Sequence, residues 1–260
     1  MEIIADTIGT AHEKTVARIM KTCREIDIET SPDKWEKTWE YPDVFTVIIR
    51  EPWKQPQVSE ACNFGPGFIA QYKSDLCRLK LKSEYPEGLA PVYTYPWRLM
   101  DYPVPSQELY RGVVVSVGNG DGKGINQLDQ IVNRLLKNPE SRRANMITWV
   151  PSIDGYAVED QPCLQAAHFL LRENALHLRC FFRSHDMLGG AGANWVGLEG
   201  LQELVIHKLI EGGYTENIRA GSLTTCSSSA HLYWKRDKPE LDKFKSLLFS
   251  KYHDFLELED

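Results

Sequence analysis

Four short stretches of the chain gather side chains that can do chemistry. Cys163 follows Asp160-Gln161-Pro162 at the entry to an apolar run. A cysteine projected from a strand entry can act as a nucleophile once its thiol, with a free pKa of about 8.5, gives up its proton. On residue type alone, a buried structural thiol is the commoner fate of such a cysteine. Ser141-Arg142-Arg143 sets two guanidinium groups side by side just past a helical stretch. They suit an anion, which guanidinium grips bidentately, and equally the negative end of a helix dipole. Arg183, Ser184 and Asp186 lead through Gly189, Gly190 and Gly192 to Asn194. These are donors and acceptors for a phosphate, a sugar and a base edge, beside glycines that let a ligand approach the backbone. Asn194 also suits the N-cap of the helix that follows it. In Ala230-His231-Leu232-Tyr233, His231 and Tyr233 share one face of a strand, so both can reach one ligand.

The elements that must hold these groups follow from periodicity. Residues 11–27 repeat Val16, Ile19, Met20, Cys23 and Ile26 at helical spacing, which predicts one amphipathic helix. Residues 68–81 predict a second. Residues 125–137 predict a third, with Leu128, Ile131, Val132, Leu135 and Leu136 on one face, and residues 195–210 a long buried one. Residues 44–49, 113–117 and 141–149 read as strands, and 52–66 as a proline-punctuated loop. Residues 166–172 and 175–182 predict a hairpin about Glu173-Asn174, and the chain from Leu232 onward is polar with a helical tail. The glycine cluster of residues 118–124 lacks the Gly-Lys-Ser/Thr ending of a phosphate loop and reads as a solvent turn. With no repeat, low-complexity segment or linker, the simplest reading is one α/β domain over residues 1–260.

Composition removes several classes of function. A formal charge of −6 provides no positive field for a nucleic-acid backbone, although local arginines can still hold a small anion. No apolar stretch is long enough to cross a bilayer. Met1-Glu2-Ile3-Ile4 lacks the charged-then-apolar layout of a signal peptide, so a cytoplasmic protein is expected. The six cysteines form no CxxC pair and no metal-ligand spacing, so neither a disulfide framework nor a structural metal is expected.

Taken together and in order, several of these stretches resemble the thymidylate synthase family. They are Gln127-Leu128-Asp129-Gln130-Ile131, Asn138-Pro139-Glu140-Ser141-Arg142-Arg143, Pro162-Cys163, Arg183-Ser184-x-Asp186, Gly190 ahead of Ala193-Asn194, and His231-Leu232-Tyr233, with Val92-Tyr93 and Trp97-Arg98 further upstream. The match is good over about residues 90–235 and poor over the N-terminal third and the last 25 residues. The resemblance implies a thymidylate synthase-like fold, a mixed sheet packed by helices and dimerising through the sheet. It implies transfer of a one-carbon unit to C5 of a pyrimidine deoxynucleotide monophosphate, dUMP to dTMP, from 5,10-methylenetetrahydrofolate or a methanopterin analogue, without a metal. In it Cys163 is the nucleophile, Arg183 the cation beside it, and Tyr93 orients the cysteine region. Arg142 and Arg143 reach the partner subunit's phosphate in a homodimer, Ser184, His231 and Tyr233 hold phosphate and sugar, and Asn194 reads the base. Asp186 and Gly190 lie at the pterin, and Glu60 is the candidate glutamate that orders water. Departures from the family pattern are Leu164 after the cysteine where a histidine is usual, Gly192-Ala193 before Asn194, no N-terminal Arg-Gly-Thr loop, no folate-site tryptophan segment, and an acidic tail at residues 256–260. These traits are shared with shorter archaeal and phage or antibiotic-pathway relatives. A dCMP, dUMP or CMP hydroxymethylase is therefore the alternative, followed by a non-catalytic nucleotide- or RNA-binding relative.

Overall fold

The computed structural model describes residues 1–31, 33–110, 113–156 and 161–251, and within 105–110 and 113–116 the course of the backbone. Asp160 and the acidic tail at 256–260 lie outside the described residues. In chain order the elements begin β1 (Glu2–Ala5), α1 (Ile8–Thr22), β2 (Arg24–Ser31), β3 (Lys34–Glu40), β4 (Phe45–Ile49), α2 (Pro66–Leu76) and α3 (Tyr95–Met100). They continue β5 (Val104–Tyr110), β6 (Val113–Val117), α4 (Gln127–Lys137), β7 (Ala144–Ile147) and α5 (Pro151–Asp154). Last come β8 (Leu164–Arg172), β9 (Ala175–Phe182), β10 (His185–Asp186), α6 (Ala191–Glu211), β11 (Arg219–Ser227), β12 (Ala230–Leu232) and α7 (Lys238–Lys251).

A mixed six-stranded sheet, ordered β1-β4-β11-β9-β8-β7, is the frame of this α/β fold. A four-stranded sheet, β10-β12-β3-β2, stands beside it, and β5 pairs with β6. Helix α1 packs on β1 and β4, α6 on β9 and β11, and α4 on β7; α6 also touches α1 and α4, so the three form one layer. The strand residues under that layer are buried, whereas the opposite side presents Asn145, Ile147, Arg179 and Phe181 exposed. Trp195, Phe45, Phe169, Phe182 and Phe244 are among the largest fully buried apolar groups, together with Trp97 of α3.

Local chemistry explains where elements start and stop. The Asn126 side chain caps α4, with Asp129 in its first turn and Lys137 in its last, matching the helix dipole. Glu173 and Asn174 both take positive φ, 50° and 59°, so two residues close the β8–β9 hairpin in the sense that fits strand twist. The helix expected over residues 11–27 ends at Thr22, because Cys23 is already extended, and residues 24–27 open β2 instead. The helix expected over 68–81 runs Pro66–Leu76, and the strand expected over 141–149 runs Ala144–Ile147. The glycine cluster turns with Asp121, Gly122 and Lys123 exposed, as a solvent turn does, but it is also anchored inward. It folds around buried Asp101, whose carboxylate accepts from the backbone N–H groups of Gly120 (2.6 Å), Gly122 (2.9 Å) and Gly124 (2.6 Å). Its ring of amides is thus filled by an internal anion.

Candidate active site

Cys163 sits half-buried one residue before β8. The pairing of β8 with β9 skips between Leu164 and Ala166, so Gln165 is an extra residue two positions after the cysteine. Such a bulge bends a strand end and re-aims the side chains beside it. Contacts from two sides then fix the turn. From just past the end of β9, the Arg183 backbone N–H donates to the Cys163 carbonyl (2.9 Å), its Nε to Pro162 O (3.0 Å) and its Nη2 to Gln161 O (2.8 Å). From α3, the Tyr95 hydroxyl oxygen accepts from the Leu164 N–H (3.2 Å). Burial raises the Tyr95 phenol well above its ordinary range, with Tyr93 and Cys163 close enough to act in the same sense. Tyr95 therefore stays protonated at neutral pH.

The groups gathered around this turn come from several elements. Tyr93 stands edge-on to Tyr95 with ring centroids 6.0 Å apart, and the Arg98 guanidinium lies 5.6 Å from the Tyr93 ring. A hydrogen bond to the cysteine segment is made by Tyr95, a residue that sequence reasoning passed over. Thr94 caps α3 by accepting from the Trp97 N–H, which sets the direction in which Tyr95 leaves the chain. A Thr-x-Pro start is the signal that could have found it. Tyr233 is near enough to Cys163 for the two to interact electrostatically; burial, first of all, raises its phenol.

Parallel pairing of β10 with β12 sets Asp186 opposite His231. His231 is buried, which lowers its pKa; its Nδ1 is 3.3 Å from Ser229 Oγ, and Tyr233 stands edge-on at 5.0 Å. Ser184 lies half-buried between Arg183 and His185. Asp186 Oδ1 accepts from the Leu188 and Gly189 N–H groups, and Oδ2 from Arg236 Nη2 (2.8 Å). Arg236 lies 3.9 Å over the Tyr233 ring and is also bound by Asp237, its strongest stabilising contact, so its charge is held firmly. Nothing in the sequence pattern distinguished Arg236, because it pairs across 50 residues.

Asn194 lies within the first turn of α6, whose N-cap is Gly190, so Asn194 is not the cap. Its Oδ1 accepts from the Tyr72 hydroxyl (2.6 Å) and its Nδ2 lies 3.3 Å from His185 Nε2. Tyr72 is also within electrostatic reach of Tyr95. One run of neighbours thus leads from Cys163 through Tyr95 and Tyr72 to Asn194. A cavity of about 450 Å³ opens beside it, walled by Tyr72, Tyr85, Tyr93 and Tyr95, with Arg78 and Lys80 among its lining.

Two expected members stand elsewhere. Arg142 and Arg143 are exposed and line an open basic cavity of about 910 Å³ with Arg134 and Lys137. Ala144 pairs with Phe169, six residues along β8 from Cys163. At roughly 3.3 Å per residue, that puts these arginines about 20 Å from the thiol of their own chain. Glu60 is exposed and lines surface cavities with Pro239 and Lys243 and with Cys62 and Val196, without a described contact to Cys163, Tyr95 or Asn194. Among the described residues no cluster of three or more His, Cys, Asp or Glu side chains could hold a metal ion, and no helix is long and apolar enough to cross a membrane.

A family model described as Thymidylate synthase matches residues 33–254. A protein of Methanocaldococcus jannaschii with the curated name "Putative thymidylate synthase" is 28% identical over 242 residues, 92% of this chain and 93% of that one. Relatives of the same name from Methanococcoides burtonii and Methanothermobacter thermautotrophicus are 39% identical over 115 residues and 38% over 110. These two alignments cover 44% and 42% of this chain and span about half of each relative, 49% and 46%.

Proposed function

The chain belongs to the thymidylate synthase family, and we propose that it transfers a one-carbon unit from a reduced pterin to C5 of a pyrimidine deoxynucleotide monophosphate, converting dUMP to dTMP. The observation that carries this reading is the cysteine turn, clamped by Arg183 on one side and Tyr95 on the other, with Tyr233 within electrostatic reach of the thiol. C5 of a pyrimidine is a weak nucleophile. Addition of the Cys163 thiolate across C5–C6 forms an S–C6 bond and moves the electron pair onto the C5–C4–O4 enolate, so that C5 can attack an electrophilic carbon. Loss of the C5 proton and expulsion of the thiolate then restore the ring.

The chain's own residues have distinct parts in this scheme. Arg183 and Tyr95 hold the turn so that Cys163 stays in line with C6. Asn194 meets the base edge, while Ser184, His231 and Tyr233 take phosphate and sugar. A reduced pterin, 5,10-methylenetetrahydrofolate or a methanopterin analogue, would supply both the one-carbon unit, at the oxidation level of formaldehyde, and the hydride that reduces it to methyl, departing in its dihydro form. The tyrosine-walled cavity with Arg78 and Lys80 suits its flat heteroaromatic body and anionic tail. Asp186 and Gly190 would border it, the Asp186 carboxylate being shared with Arg236. The exposed sheet face at Asn145, Ile147, Arg179 and Phe181 supports a homodimer, in which Arg142 and Arg143 would serve the partner's phosphate.

The test is incubation with dUMP or dCMP and methylenetetrahydrofolate, followed by mass analysis of the product. A methylated dUMP is expected; a hydroxymethylated product would move the protein to the hydroxymethylase reading. 5-Fluoro-dUMP with the folate should leave a stable adduct on the Cys163 peptide. Cys163→Ala should lose both adduct and turnover while keeping nucleotide binding. An adduct on another cysteine, or full activity in Cys163→Ala, refutes the assignment.

A further inference from the structure

We propose that Tyr72 and His185 set base selectivity by fixing which way round the Asn194 side-chain amide points. The inference rests on the reading that Asn194 meets the pyrimidine edge. Asn194 is half-buried while Gly192, Ala193, Trp195 and Val196 around it are buried, so its amide occupies the open side of the first turn of α6. Both ends of that amide are held. A phenol carries one proton, and the Tyr72 hydroxyl, 2.6 Å from Oδ1, donates it there. An amide nitrogen only donates, so His185 Nε2, 3.3 Å from Nδ2, must accept.

That requirement fixes the histidine. Its single ring proton sits on Nδ1 and points to Ser227 Oγ, 3.2 Å away. His185 cannot turn to offer another arrangement: it is buried, stacked on Phe182 with centroids 3.9 Å apart and planes 7° from parallel, and met edge-on by Trp195. Burial lowers its pKa to about 3, so the ring remains neutral, and burial raises Tyr72 to about 12, so the phenol keeps its proton. The donors therefore run one way, with Tyr72 giving to Asn194, Asn194 to His185 and His185 to Ser227. Running the chain backwards would bring Nδ2 against the Tyr72 oxygen and leave the phenol proton without an acceptor among the described residues, which a largely buried hydroxyl resists.

An unrestrained asparagine serves uracil and cytosine equally, because rotating the amide by half a turn exchanges its donor and its acceptor. Uracil presents a donor at N3 and an acceptor at O4; cytosine presents the reverse. With both ends of the amide tied, only one pattern is met without breaking the network. A mismatched edge then weakens binding by about tenfold to a hundredfold. Selectivity on this account comes from two residues that need not touch the base themselves.

Calorimetric dissociation constants for dUMP and dCMP, taken on the wild-type protein and on single variants, test the proposal. Tyr72→Phe removes the donor and keeps the ring. His185→Phe removes the acceptor and keeps a stacking ring, and His185→Gln retains an oxygen able to accept from Asn194. Wild type should prefer dUMP, and Tyr72→Phe and His185→Phe should each cut the dUMP/dCMP ratio by about tenfold or more, whereas His185→Gln should retain most of it. If Asn194→Ala erases the preference while Tyr72→Phe and His185→Phe keep the full ratio, the orienting role is overturned and base reading by Asn194 stands. If Asn194→Ala keeps the wild-type ratio, base reading by Asn194 fails and the orienting role fails with it. Tyr72→Phe carries the test should the buried histidine variants not fold.

Discussion

Tyr95→Phe removes one oxygen and leaves the ring, so the change isolates a single hydrogen bond. In the native protein that oxygen accepts from the Leu164 N–H, the amide next after Cys163, and Leu164 is 1% exposed. Because the aromatic volume is unchanged, no cavity forms and the large-to-small penalty does not apply. The remaining cost is a buried amide without a partner, about 1–3 kcal/mol, or a fall in Tm of roughly 2–12 °C at 2–4 °C per kcal/mol. The same loss frees the peptide between Cys163 and Leu164 on the side opposite the Arg183 clamp. A displacement of about 1 Å at a nucleophile can slow a reaction about a hundredfold. Adduct formation with 5-fluoro-dUMP should therefore slow by about ten- to a hundredfold, with dUMP affinity changed far less. Urea unfolding gives the first quantity and time-resolved mass analysis of the Cys163 peptide the second. A Tyr95→Phe protein with wild-type stability and a wild-type adduct rate would refute the view that Tyr95 holds the turn.

Three further outcomes follow from the same geometry. Burial holds His12 at a pKa of about 4, below its unfolded value of 6.5; unfolding then takes up protons between these limits, so stability present above pH 6.5 should fall toward pH 4, by about 1.4 kcal/mol per pH unit for this histidine. Urea melts from pH 7 to 4 should show at least that slope, since buried His185 adds to it in the same sense, and His12→Gln should lower it by about 1.4 kcal/mol per pH unit; an unchanged slope in the variant removes His12 as a source. Arg143→Ala and Cys163→Ala should each be inactive, yet regain activity when mixed as exchanging dimers, since one site then has both an intact thiol and an intact partner arginine; a monomer in sedimentation contradicts this. Asn194→Asp should raise kcat/KM for dCMP relative to dUMP by about tenfold or more, and a wild type that prefers dCMP would move base choice to other residues, Leu164 first.

What could be read from the sequence was what depends on neighbours in the chain. The apolar stripe of α4 and the Glu173-Asn174 turn declare themselves within a dozen residues. The β2 strand did not, because Ile26 continues the apolar spacing of α1 although the helix has already ended at Thr22. Residues 219–227 passed unread because β11 alternates Leu223 with serine, threonine and cysteine and lacks an apolar run. In the site, Cys163, Arg183 and Asn194 could be named from their motifs, but not what they touch. Arg183 was expected to act on the thiol as a cation; that its guanidinium also donates to the Gln161 and Pro162 carbonyls is a contact no motif announces. Tyr72 and Arg236 meet their partners across 122 and 50 residues, distances at which local pattern has nothing to report.

The site depends on the junction between the two sheets. β9 ends at Phe182 in the six-stranded sheet and β10 begins at His185 in the four-stranded one, with Arg183 and Ser184 between them. In those four residues the chain supplies the clamp on the cysteine turn and the acceptor for the Asn194 amide, while Phe182 and His185 stack across the junction. β11 and β12 make the same change of sheet alongside, through Ser228 and Ser229, and the Ser228 N–H bonds back to the Phe182 carbonyl while the His185 N–H bonds to the Ser229 carbonyl. A shift of one residue in either crossing would turn every side chain on the far side to the opposite face. It would separate Arg183 from Cys163 and His185 from Asn194 at one stroke, although neither sheet need lose its core. The spacing of residues 182–186 thus keeps the cysteine turn and the Asn194 amide in one register, which is a tighter demand than folding alone would make.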